Sequence, residues 1–219
     1  MKKLLVALSI ASLLGASSYA TVYNDAVGDT FFGGHMDIVS VEVQNDLNDI
    51  FFTITVGAAN PGWGNYMIGI QTGPGGDSSN PWVRPISFAS GSEINYWVGS
   101  WTDGGGGSQL WSYNGSWSGP VAPAAYTFSG SSVNFTFSLA SLGLSVNDTL
   151  FFDVFSSGTG GTDAAIDALN NPNQTVAGWS DPYISTLSSS YTVVPEPSSL
   201  ALLALGGLAM AAIRRRQRG

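Results

Sequence analysis

Between positions 38 and 155, apolar side chains recur at every second residue in short runs, and each run is bounded by Gly, Asn, Asp or Pro. Period two places successive side chains on opposite faces of an extended chain, so one face can be buried while the other stays wet. The clearest run is 50–56, with Ile50, Phe52, Ile54 and Val56 on the inward face. Residues 38–43 read as a second strand with Val39, Val41 and Val43 sharing a face, and the Asp- and Asn-containing segment 46–49 between them is turn chemistry. The same grammar predicts strands at 66–71, 94–101, 109–113, 125–128, 133–137 and 150–155, with 129–132 closing a hairpin. Roughly eight short strands at this spacing predict an all-β domain, an antiparallel β-sandwich of two sheets. Segments 138–144 and 163–169 each read as one helical turn, and 188–194 as a final strand or the start of a linker. No long amphipathic helix occurs in the body, which argues against nucleotide-binding α/β folds. The glycine runs 73–76 and 104–107 are loops without a phosphate-binding lysine.

Charge and residue inventory exclude several functions. The 219-residue chain has no cysteine, so disulfides, thiolate metal sites and cysteine nucleophiles are out. Between 21 and 194, Arg84 is the one base against 14 acids, a body charge of −13 with no footprint for nucleic acid. His35 is the only histidine, which rules out a multi-histidine metal site, and no Gly-x-Ser-x-Gly elbow accompanies it. It follows two glycines and reads as a solvated loop residue. The body also lacks a lysine for Schiff-base chemistry. The expectation is a protein that is not an enzyme. Arg84 is read either as half of a salt bridge or as a bidentate recogniser of an acidic sugar.

The other six bases sit at the ends. Lys2 and Lys3, an apolar run over 4–14 and Ser18-Tyr19-Ala20 follow the order of a secretory signal peptide, residues 1–20, with an N-terminal signal helix removed by signal peptidase before Thr21. At the other end Val194, Pro195, Glu196 and Pro197 precede an apolar stretch and then Arg214, Arg215 and Arg216. Residues 197–213 would make about 25 Å of transmembrane helix, with the arginines cytoplasmic and the body outside. This tail, 191–219, resembles the PEP-CTERM sorting signal of Gram-negative bacteria, also labelled an ice-binding-protein C-terminal motif without implying ice binding. The resemblance implies recognition by an exosortase-type membrane enzyme near Pro195, Glu196 and Pro197. It also implies a membrane intermediate followed by residence at the cell surface or in an extracellular biofilm matrix.

The body proper is expected over 21–190. It resembles DOMON and family-9 carbohydrate-binding modules on two stretches. The first holds Asp25, Asp29 and 36–43 with 50–54; the second holds 135–144 with 148–154. That resemblance implies an antiparallel sandwich, in some members with calcium and in some with sugar held by tryptophans. From the residues themselves two sites are predicted. Trp97 and Trp101 share parity on one strand, Trp111 and Tyr113 on the next, and Trp117 continues the row, an aromatic strip suited to exopolysaccharide. The competing reading puts these rings in the core. Asp25, Asp29 and Asp37 are close enough to converge on Ca2+ after one chain reversal, or else they cap turns. Two functions follow: a polysaccharide-binding surface module, or a structural surface protein with no discrete ligand.

Overall fold

The computed structural model describes residues 20–122, 125–171 and 178–195. Among these, fourteen strands follow in chain order: β1 (Thr21–Asn24), β2 (Ile38–Asn45), β3 (Asp49–Val56), β4 (Asn65–Gln71), β5 (Ile86–Phe88), β6 (Tyr96–Trp101), β7 (Gly107–Tyr113), β8 (Trp117–Ala122), β9 (Ala125–Ser129), β10 (Ser132–Ser138), β11 (Thr149–Ser157), β12 (Asp167–Ala168), β13 (Tyr183–Ser185) and β14 (Ser189–Thr192). The first sheet has the order β1-β2-β3-β10-β9 and the second β12-β11-β4-β6-β7-β8, with β14 also on β11; every pair in both is antiparallel.

The inward residues of the two sheets make one core. Ile50, Phe52, Ile54, Val133 and Phe135 of the first sheet meet Tyr66, Ile68, Val98, Leu110, Phe152 and Val154 of the second. Alternation along β3 came out as the sequence predicts, whereas along β2 it did not. A bulge between Ile38 and Ser40 inserts one residue, so Ile38, Val41 and Val43 face inward and Val39 is only half-buried. The segment before β3 is an Asx turn, with Asp46 Oδ1 accepting the N–H of Asn48 at 2.8 Å and of Asp49 at 2.7 Å.

The central strands of the second sheet, β4, β6 and most of β11, are buried on both faces, which the sequence reading did not anticipate. Its outer face is covered by β5 and β13, a two-stranded parallel pair, together with the segment leading into them. Met67, Trp97 and Phe155 point out of the sheet into this layer and meet Ile86, Phe88, Ile94 and Tyr183. Asp153, fully buried on β11, fastens the layer. Its Oδ2 accepts the hydroxyls of Tyr183 at 3.1 Å and Ser185 at 2.7 Å, and its Oδ1 accepts the N–H groups of Val154 at 2.8 Å and Asn170 at 3.0 Å. Burial outweighs these donors and pushes its carboxyl up to about 7. Gly99 on β6 leaves the room that the Trp82 ring fills against the sheet.

Residues 138–144 do contain a helical turn, a 3-10 helix at Leu139–Leu142, with Ser138 Oγ accepting the Ser141 N–H at 3.0 Å and Gly143 closing it in the left-handed region at φ 63°. Segment 163–169 does not: it holds β12, because pairing with β11 overrides its local preference. The body also runs past 190, through β14 on β11, with Tyr191 and Val193 buried. The expected signal helix and the helix 197–213 lie outside the described residues, as do Glu196, Pro197 and Arg214 to Arg216. Among the described residues no helix is long and apolar enough to cross a membrane.

Candidate metal centre

The loop that links β1 to β2 brings its carboxylates to one end of the sandwich. The Asp25 N–H continues the β1–β2 ladder onto Val39 O at 3.0 Å. The chain then loops outward and returns through a 3-10 turn, Gly34–Met36. Tight bonds within the loop fix its shape: Gly28 N–H donates to Asp37 Oδ2 at 2.9 Å, and Gly33 N–H to Thr30 Oγ1 at 2.7 Å. The partner arrives from the other sheet. Asp167 on β12 accepts the Ile38 N–H at 2.5 Å, a contact between residues 129 apart in the chain.

Asp29, Asp37 and Asp167 each bring one carboxylate oxygen into a group whose members all lie within 4.8 Å of one another. Asp25, predicted alongside Asp29 and Asp37, is outside that group but within its field. Burial first, then the charges of Asp29, Asp153 and Asp37, push the Asp25 carboxyl up to about 7. Asp167 is pushed up to about 8 by burial and by Asp25 and Asp29. Burial likewise raises Asp29 and Asp37, with Asp37 adding to the shift on Asp29. The sequence reading missed Asp167, whose signal was an acid alone in the apolar run Ala164 to Leu169. Spacing could not find it, because only sheet pairing brings it near the loop.

The loop also carries rings. Phe31 and Phe32 are each 44% exposed and pack edge-on against Trp179 and Trp63. His35 is buried here, not solvated as expected. Its ring sits 4.5 Å from Trp63, and burial lowers its pKa, so it stays neutral at neutral pH. Arg84 is also buried, and among the described residues it makes no salt bridge of the predicted kind. Its guanidinium donates to Ser157 Oγ at 2.7 Å and to the backbone oxygens of Asp163 at 3.0 Å and Gly158 at 3.2 Å, and it lies over Trp82.

The structure brings the predicted aromatic strip together but covers its centre. Trp97 pairs directly across the ladder with Trp111, and the loop after Trp101 returns the chain so that Trp101 faces Gly107. Trp97 is fully buried beneath Trp82 and Phe88 and stacks on Phe155, so it is part of the core and not of a platform. Trp101, Trp111, Tyr113 and Trp117 are half-buried around it. Two of the indoles are anchored, Trp111 to Gln109 Oε1 at 3.1 Å and Trp117 to Asp77 Oδ2 at 2.9 Å.

At the far end of the body Val194 is pinned. Its N–H donates to Asn45 Oδ1 at 3.0 Å, and Asn45 Nδ2 donates to Val194 O at 2.9 Å. Neither a curated protein nor a solved structure matches the chain significantly, so the likeness of the body to DOMON and family-9 modules is not confirmed. The tail is different: residues 193–216 match the PEP-CTERM protein-sorting motif, and the chain carries that motif directly after a folded β-body.

Proposed function

We propose that the chain is a non-catalytic cell-surface or matrix protein whose β-body holds extracellular polysaccharide on the outer rim of its seven-stranded sheet. The motif implies an exported protein sorted via exosortase, a membrane enzyme. One observation carries the reading: the sorting motif begins where the folded body ends. Val193 is buried and Val194 is held by both its backbone groups. Release at that point would leave a finished domain with no loose arm. Removal of the first 20 residues by signal peptidase would likewise make Thr21, the first residue of β1, the new N-terminus.

The non-catalytic reading is supported by the residue inventory, since the body has no cysteine or lysine and its one histidine is buried. A depression of about 400 Å³ at the end of β4 is lined largely by loop residues from Gln71 to Gly75, with Glu93 as its one carboxylate. That arrangement supplies no acid–base pair of the kind glycoside hydrolysis uses. The polysaccharide reading is supported by Trp101, Trp111, Tyr113 and Trp117, four aromatic residues on β6, β7 and β8 that are only half-buried. Sugar rings present C–H faces that pack on such surfaces without requiring charge, as this acidic body demands. The burial of Trp97 favours the alternative, a structural surface protein with no discrete ligand.

A retention experiment separates the two. Trp111→Ala combined with Tyr113→Ala is expected to weaken retention on matrix polysaccharide by about tenfold, the equivalent of ~1.4 kcal/mol, while the fold persists. Unchanged retention, or a glycan array on which the unaltered protein binds nothing, would leave the structural reading in place.

A further inference from the structure

We propose that Asp29, Asp37 and Asp167, with Asp25 beside them, form a binding site for one divalent cation of calcium's size. The first observation is the convergence of three carboxylates from two different sheets within 4.8 Å. The second is independent of it. Asp37 is only 4% exposed, and its Oδ1 accepts no hydrogen bond from the described residues. Both oxygens of Asp29 and Oδ2 of Asp25 are likewise buried without a partner among them. A buried polar atom without a partner costs about 1–3 kcal/mol, and more when it is charged. Four such oxygens in one place mark a site built for something that accepts their lone pairs.

Among the described residues no cationic side chain is free to take that role. The body's one Lys or Arg is Arg84, whose guanidinium is committed to Ser157, Gly158 and Asp163. His35 is neutral, and its Nε2 is itself unpartnered. The donors are all oxygens, which selects hard cations over zinc or copper. Calcium tolerates irregular carboxylate geometry and strips its water readily, whereas magnesium keeps several waters that a buried cluster has little room for.

The topology says what the ion would do. Asp29 and Asp37 lie in the loop between β1 and β2 of the first sheet, and Asp167 lies on β12 of the second. A cation shared among them staples the two sheets at one end and fixes the loop that displays Phe31 and Phe32. Ligand that binds only the folded state stabilises it by mass action.

The test uses the full-length chain in detergent, stripped with EDTA and titrated with calcium chloride. Equilibrium dialysis is expected to show one Ca2+ per chain with a dissociation constant of ~10⁻⁵–10⁻³ M, and the melting temperature is expected to rise with calcium. Asp29→Asn supplies a signature that turn capping would not. It removes a repelling charge, so the variant should melt at or above the unaltered protein in EDTA, and below it in calcium. A variant that melts lower in both conditions would assign Asp29 to capping and overturn the proposal. So would an unaltered protein that takes up no calcium at millimolar concentration, a result that needs no variant to fold.

Discussion

Trp97→Ala will cost the protein about 3–5 kcal/mol, the range of large aromatic truncations in cores. The residue is fully buried between the second sheet and its cover, stacked on Phe155 at 5.9 Å and flanked by Trp82 and Phe88 at 6.4 Å each. Its indole N–H has no hydrogen-bond partner among the described residues, so no hydrogen bond is lost with the ring, and relief of that unpaired donor offsets part of the lost packing. Trp97→Phe should therefore recover much of the stability in urea melts, since it keeps a ring in the gap. A loss below about 1 kcal/mol, the scale of a surface change, would mean that the cover layer does not sit on this face.

The second large effect is expected at Asp153. Replacing it with Ala strands two backbone N–H groups and the hydroxyls of Tyr183 and Ser185 inside the protein. At about 1–3 kcal/mol for each unsatisfied buried group, a loss of about 2–6 kcal/mol follows from the two N–H groups even if the hydroxyls find new partners. Asp153→Asn keeps one oxygen that can accept both N–H groups and turns the other into an NH2 that donates to hydroxyl oxygens free to rotate, so it should lose markedly less, a carboxyl raised to about 7 being already part-protonated at neutral pH. Equal losses for the two variants would show that the acceptor network is not what fastens β13. Hydrogen exchange at Ile184 and Ser185 offers a local readout of the same event.

These two residues also show where sequence reading stopped. Period-two alternation and bounded apolar runs located β3 and the cores of β2, β4, β6, β7, β9, β10 and β11, because half-buried strands print an alternation and doubly buried ones a short apolar run. It placed the inward row of β3 correctly, and the bulge at Ile38 was the reason the same logic failed on β2. The cover layer left no such print. β5 and β13 are three residues each, and they pair in parallel across nearly a hundred positions of chain, so neither has a period to read. Without that layer the outer face of β6 looks exposed, and Trp97 looks like a platform. Parity correctly grouped Trp97 with Trp111, but parity alone cannot say whether a face is covered.

The carboxylate site divides the same way. Asp25, Asp29 and Asp37 lie within a short stretch and were legible as a group; Asp167 needed the β11–β12 pairing to come near them. His35 and Arg84 were misjudged because local sequence reports polarity, whereas burial is decided by distant neighbours such as Trp63 and Ser157. The sorting motif at 193–216, by contrast, was legible from the order of its parts, which is itself the signal.

Intact-mass analysis of the protein recovered from the cell surface or medium tests the functional account most directly. The account predicts a chain that starts at Thr21 and ends near Val194, the last residue held by Asn45. Recovery only from the membrane fraction, with a mass that still includes Gly219, would contradict it.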